Sequence, residues 1–76
     1  MKTYLEIIAL CELHLALMNL HYLTGRTIHI DEAEKVSNVL QVLVRRDKAI
    51  DSIIGEPHWI ADVERYYRIT VGELPN

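Results

Sequence analysis

Hydrophobic residues recur with the period of an α-helix through the first third of the chain. One apolar row, spaced by three and four residues in turn, consists of Tyr4, Ile8, Cys11, Leu15, Met18 and Tyr22. A second row, more than about 100° around the helix from the first, consists of Leu10, Leu13, Leu17 and Leu20. The spacing predicts a helix over residues 2–23, and a helix with two apolar rows must be covered on both sides.

Residues 32–54 are predicted to form a second helix, which is amphipathic and buries one apolar face. Its apolar row, again spaced by three and four, consists of Val36, Leu40, Leu43, Asp47, Ile50 and Ile54. Its opposite face is polar and carries Glu34, Asn38, Gln41, Arg45, Lys48 and Ser52. Asp31 is a suitable N-cap, and Glu34 three residues later completes a pattern resembling a capping box. Residues 26–30 alternate polar and apolar side chains and are predicted to be an extended connector or a short strand.

The third segment is predicted to be a helix over residues 57–71. Gly55 follows the second predicted helix and Pro57 opens the third, which is the expected placement of these two residue types. Residues 68–71, three of which are β-branched, have a strand-like composition and leave a strand paired with residues 26–30 as an alternative. We favour the helix.

These patterns predict an all-α fold, with residues 1–76 forming a single domain of three helices. The first helix is central, with helices two and three covering one apolar row and a second copy of the chain covering the other. Two-fold dimers are the commonest homo-oligomers, so a homodimeric helical bundle is expected. Its predicted interface is the second row, Leu10, Leu13, Leu17 and Leu20.

Composition agrees with a folded, self-associating domain. Half of the 76 residues are apolar, and Leu, Ile and Val account for 25 of them. This apolar content is too high for a disordered chain. It also exceeds what a single small core can easily bury. The single cysteine excludes an intrachain disulfide and fits a reducing compartment. Because Glu6, Glu12 and Asn19 interrupt the apolar run, we predict neither a membrane span nor a signal peptide, and expect a cytoplasmic protein.

Asp47 is the most informative polar residue, since it occupies a position in the apolar row of the second helix. A buried carboxylate needs a partner or a raised pKa. Candidate partners are Arg65 or Arg68, a histidine of the first helix, or the hydroxyl of Tyr66 or Tyr67. Its predicted role is to fix the register of the helices. The alternatives are a solvated edge position and a functional site.

The only basic cluster is Arg45, Arg46 and Lys48, around Asp47. Three bases of this kind can contact phosphates or a partner protein. A net charge of −3 argues against a general nucleic-acid binder, and acidic residues on the same helix make a solvated face the ordinary explanation. Nucleic-acid binding is therefore kept as the alternative function.

Cys11 and His14 lie one helical turn apart and form the only candidate metal or redox site. A structural zinc site needs four ligands, and His21 is about 10.5 Å along the axis from His14, too far to share an ion. A thiol within an apolar row is also expected to be inert. We therefore predict no cofactor, no metal and no enzymatic activity, with a site at Cys11 and His14 as a second alternative.

The function predicted by these arguments is that of a small, non-catalytic binding or regulatory protein. It would act as a helical dimer on a protein partner. In size and acidity the chain resembles accessory and inhibitor proteins of phages and mobile elements.

Overall fold

The computed structural model of the protein describes residues 2–73, apart from the side chain of Lys2. In that range the chain forms four helices and no strand. The helices are α1 (Lys2–Thr24), α2 (Ile28–Val44), α3 (Lys48–Asp51) and α4 (Trp59–Glu73). The predicted all-α class is confirmed, and the long N-terminal helix lies close to its predicted bounds.

A tight turn joins α1 to α2. Gly25 adopts a left-handed conformation (φ +70°), and its N–H donates to the carbonyl of His21 at 2.7 Å. This is the usual glycine ending of a helix. Since the chain reverses at once, α2 begins at Ile28, and the extended segment predicted for residues 26–30 is wrong. Asp31 lies in the first turn of α2 rather than at its cap, where a carboxylate still complements the helix dipole.

The second predicted helix is interrupted at Asp47. α2 ends at Val44, and Asp47 has extended backbone angles before the short helix α3. Its Oδ1 accepts a hydrogen bond from the N–H of Ala49 at 2.9 Å. Asp47 is therefore a half-buried N-cap and not a member of a continuous buried row. Aspartate favours such caps, while an unpaired carboxylate inside an apolar row would be costly.

Removing this cap gives a testable change in stability. Asp47→Ala is expected to lower the free energy of unfolding by about 1 kcal/mol, because the Ala49 N–H loses its acceptor. Asp47→Asn keeps an oxygen in the same place and should cost much less. Urea unfolding of the three proteins measures the difference. Equal losses in both variants would show that the charge of Asp47, rather than its cap, stabilises this segment.

The last helix starts later and ends later than predicted. His58 has a left-handed backbone (φ 65°), which cannot be part of a helix, so α4 begins at Trp59 rather than at Pro57. The helix continues to Glu73, and residues 68–71 are helical, as favoured over the strand alternative.

α1 packs against both α2 and α4, as predicted for a central helix. Tyr67, just past the middle of α4, lies against Tyr4, near the start of α1, with ring centroids 5.2 Å apart. Trp59, at the start of α4, instead lies beside the second half of α1. α4 therefore runs antiparallel to α1. The shared core consists of Ile7, Ile8, Cys11, Leu40, Val44, Ile50, Ile60, Val63 and Tyr67.

The predicted first row of α1 is buried only in part. Ile8 and Cys11 are buried, but Leu15 is exposed and Tyr22 is 80% exposed. Because α4 begins beside the middle of α1, it does not reach the last turns of that helix. The molecule measures 42 × 25 × 17 Å. The shortest dimension, 17 Å, corresponds to two layers of helices, because packed helices lie about 10 Å apart. The helices α2 and α4 therefore leave the outer side of α1 uncovered.

Candidate functional site

A cleft opens where neither α2 nor α4 covers α1 completely. It has a volume of about 660 Å³ and lies between the second half of α1, the middle of α2 and the start of α4. The side chains that give it its character are His14, Met18, Tyr22, Ser37, His58 and Trp59. The volume falls within the range of ligand-binding clefts, about 300–1,000 Å³.

The local sequence explains the shape of this cleft. The left-handed backbone of His58 turns the chain just before α4, and the His58 carbonyl accepts the first hydrogen bond of the helix, from Asp62 N–H at 3.2 Å. A left-handed non-glycine residue is uncommon, and such residues are often found at functional sites. The turn places the half-buried Trp59 over the second half of α1, with the His58 side chain exposed at the rim.

His14 lines the cleft together with three other polar residues, Asn19, Ser37 and His58. Its Nδ1 is buried and has no hydrogen-bond partner among the described residues. Burial lowers the pKa of His14 below its ordinary value of 6.5, so the imidazole is neutral at pH 7. A buried polar atom without a partner costs about 1–3 kcal/mol. Since this nitrogen has almost no accessible surface, a ligand could bond to it only after the ring turns towards the cleft.

The second imidazole of α1 has a different role. His21 Nδ1 donates to the carbonyl of Arg26 at 3.2 Å, beyond the end of the helix. This bond stabilises the turn into α2. The two histidines therefore do not form one site, as their spacing predicted.

Cys11 is fully buried in the core. Burial, and then the negative charge of Glu64, raises the pKa of the thiol to about 12. The thiol is therefore protonated at neutral pH, and the thiolate is the form that attacks substrates and binds metals. Within residues 2–73, no three His, Cys, Asp or Glu side chains lie close enough together to hold a metal ion. The structure thus adds no ligand to the pair Cys11 and His14.

The basic cluster is split between the turn after α2 and the start of α3. Arg45, Arg46 and Lys48 are all exposed. Arg46 and Lys48 line a smaller cavity of about 370 Å³ together with Asp47 and Tyr4. A carboxylate therefore lies between the two bases, which weakens the positive field that a phosphate would meet.

Sequence reasoning missed the ion pairs that connect α4 to α1. Arg68 pairs with Glu12 across the two helices and with Glu64 one turn earlier on its own helix. Arg68 is a candidate partner of Asp47 by sequence, but in the structure it pairs elsewhere. Asp47 lies near two tyrosines instead. Burial raises the pKa of Tyr67 to about 12, and the negative charge of Asp47 contributes to that rise.

The outer face of α1 divides the predicted dimer residues into two pairs. Leu13 and Leu20 are exposed, whereas Leu10 and Leu17 are half-buried. Other apolar residues of α1 that share the exposed side do not belong to the predicted set. They are Leu5, Ala9, Ala16 and Leu23.

By length and composition alone, Thr3–Thr24 is long and apolar enough to cross a membrane. A core helix and a signal sequence satisfy the same criterion, and 17% of the most apolar window is buried inside the protein. Much of that apolar stretch is therefore exposed in the protein, including the exposed leucines of the outer face of α1.

Comparisons of the chain with protein-family models, with curated proteins and with solved structures give no match. The function has to be inferred from the side chains themselves.

Proposed function

We propose that this chain is a small, non-catalytic binding protein that acts on a protein partner through the cleft between α2 and α4. The observation that carries the proposal is an open cleft of about 660 Å³ that is lined by apolar and aromatic side chains and has His14 at its wall. The cleft offers apolar and aromatic contact area and, once the His14 ring turns towards it, a nitrogen that lacks a hydrogen bond.

The side chains of the cleft favour a protein as the ligand. Trp, Tyr and Met are enriched at protein interfaces, and Trp and Tyr are prominent among the residues that supply most of the binding energy there. Trp59, Tyr22 and Met18 line this cleft. The complementary group is an aromatic side chain with a polar tip, a tyrosine or tryptophan of the partner. Its ring would pack on Trp59 and Met18, and its hydroxyl or N–H would bond to the neutral imidazole of His14.

Two other functions have weaker support. Nucleic-acid binding would rest on Arg45, Arg46 and Lys48, but Asp47 lies among them and the chain carries a net charge of −3. A redox or metal function would need the Cys11 thiolate, which the buried environment suppresses. We further propose a cytoplasmic location, because the one cysteine is an unpaired thiol.

Short blocked amino acids test the chemistry of the cleft directly, before any partner is identified. In NMR titrations, N-acetyl-tyrosinamide and N-acetyl-tryptophanamide at millimolar concentration should shift the signals of His14 and the Trp59 indole. N-acetyl-phenylalaninamide lacks the polar tip and should bind more weakly, by several-fold. Equal shifts with all three compounds, or none, would contradict the proposed role of His14.

Matched variants test whether the cleft binds a protein. Tyr22→Glu places a charge in the cleft at a residue that is 80% exposed, so the fold is kept. Val42→Glu, on α2 away from the cleft, is the control. In affinity capture from lysate, a partner should bind the wild type and Val42→Glu but not Tyr22→Glu, and the purified partner should reproduce that order. Binding that Tyr22→Glu leaves unchanged would place the contact elsewhere.

A further inference from the structure

The outer face of α1 is a continuous apolar surface. It consists of Leu5, Ala9, Leu13, Ala16, Leu20 and Leu23, at spacings of four, four, three, four and three residues. All six are exposed, and Leu23 is 83% exposed. We call this set the outer row. It lies on the side of α1 away from α2 and α4, so it is separate from the cleft.

The exposed area of the chain is larger than that of a typical monomer of its size. The accessible surface is 5374 Å² for a chain of 8.8 kDa. A compact monomer of that mass exposes about 4,800 Å². The excess of about 600 Å² per chain, doubled, gives about 1,200 Å², which is the lower limit for a specific protein–protein interface.

We propose that the outer row binds the outer row of a second copy, so that two α1 helices cross antiparallel on a two-fold axis. The row is complementary to itself in size. With the axis between positions 14 and 15, Ala9 faces Leu20 of the partner subunit, and Leu13 faces Ala16 of the partner subunit. In this central part of the row Leu13 and Leu20 each meet an alanine, which allows the two helices to interdigitate closely, and Leu5 comes near Leu23 of the partner subunit at either end.

Charge also favours the antiparallel direction. Glu6 is exposed near the start of α1 and Arg26 is exposed just past its end, and neither forms an ion pair among the described residues. The antiparallel arrangement brings Glu6 to the end of the helix that carries the partner's Arg26. A parallel arrangement would place Glu6 against Glu6 and align the two helix dipoles unfavourably.

The same face is a poor match to a lipid surface. Helices that lie on membranes carry lysine and arginine on their polar side. α1 contains one basic residue of that kind, Lys2, and two glutamates, Glu6 and Glu12. A second copy of the chain is therefore the better partner for the outer row.

Sedimentation of the full chain at micromolar concentration tests the proposal. The wild type should show about twice the chain mass of 8.8 kDa. Ala16→Glu should show the single mass with an unchanged helical circular dichroism spectrum, because the residue is exposed. Ile69→Glu changes another exposed apolar residue, on α4, and should remain dimeric. A monomeric wild type, or a dimeric Ala16→Glu, would overturn the proposal.

Cross-linking tests the direction of the helices. A mixture of the Ala9→Cys and Leu20→Cys variants should form a disulfide between unlike chains on oxidation. Ala9→Cys alone should not cross-link efficiently, and if it did the parallel arrangement would be right and the proposal wrong. Flotation with anionic phospholipid vesicles is the last control. A monomer that binds vesicles through the outer row would also overturn it. Since the cleft lies on the other side of α1, neither result affects the proposed function.

Discussion

Leu40→Ala is expected to lower the free energy of unfolding by about 3 kcal/mol. Leu40 is fully buried on α2 and packs in the core shared with α1. Truncation removes apolar contacts and leaves a cavity, and such changes cost about 2–5 kcal/mol in well-packed cores. A domain of 76 residues has a total stability of roughly 4–11 kcal/mol at ordinary values per residue. The variant should therefore lose between about a quarter and three quarters of that stability.

The neighbouring position supplies a matched control. Val39→Ala changes an apolar residue on the same helix that is half exposed, and it should cost less than about 0.5 kcal/mol. Urea unfolding followed by circular dichroism compares the two variants with the wild type. Similar losses for Leu40 and Val39 would mean that α2 packs on α1 through a different face. If dimerisation stabilises the fold, the comparison must be made at one protein concentration.

The correctly predicted parts of the fold are those that depend only on the spacing of the hydrophobic residues. The three- and four-residue spacing in the first 23 residues predicts the first helix, and Leu40 and Val63 lie where helical rows would place a core. This spacing does not indicate at which residue α4, the helix that covers α1, begins. Tyr22 continues the first row, yet it is exposed because α4 starts beside the middle of α1. Its exposure depends on the turn at His58, which periodicity cannot indicate.

Asp47 shows the other limit of the pattern. Its place in the apolar row predicts a continuous helix with a buried carboxylate. In the structure α2 instead ends before Asp47, and Asp47 caps the N-terminus of α3. Aspartate within an apolar row is thus a stop signal as well as a candidate buried polar group. The choice depends on whether the chain can turn there, and the further turns at Gly55 and Pro57 allow it to return to the core.

The candidate site is only partly visible in the sequence. His14 lies between two apolar rows by its spacing, but its cleft is built with Trp59 and Ser37 from distant positions. No local spacing brings those residues together. The outer row was likewise predicted only in part, since the predicted interface includes Leu13 and Leu20 but neither Leu5 nor Leu23. Ala9 and Ala16 belong to it because small residues face away from the core here, and alanine is neutral in a hydrophobic pattern.

Alkaline pH is expected to unfold the protein steeply, because two core groups hold their protons far above their ordinary range. Burial raises the pKa of the Cys11 thiol from 9.0 to about 12 and that of the Tyr67 phenol from 10.0 to about 12. At a pH between the ordinary and the raised pKa of a group, that group has lost its proton in the unfolded chain but retains it in the folded chain. The unfolded state then binds fewer protons, so the free energy of unfolding falls as the pH rises.

The size of the fall follows from the number of groups involved. Each group lowers the free energy of unfolding by about 1.4 kcal/mol per pH unit within its window. Cys11 acts alone from about pH 9, and Tyr67 adds a similar slope from about pH 10 to pH 12. Burial also raises the pKa of Tyr66, which acts in the same direction. Below pH 9 these groups are protonated in both states and their contribution to stability is fully present.

Variants of the two core groups separate their contributions. Cys11→Ala lowers stability by a constant amount from its lost packing, but it should flatten the slope between pH 9 and 10. Tyr67→Phe should flatten the slope above pH 10, while Tyr22→Phe, at an exposed tyrosine, should leave the profile unchanged. Urea unfolding at half-unit steps from pH 8 to 11.5 measures these slopes. A wild-type profile that is flat from pH 9 to 10 would show that Cys11 ionises in the folded state, and hence that the thiol is open to solvent.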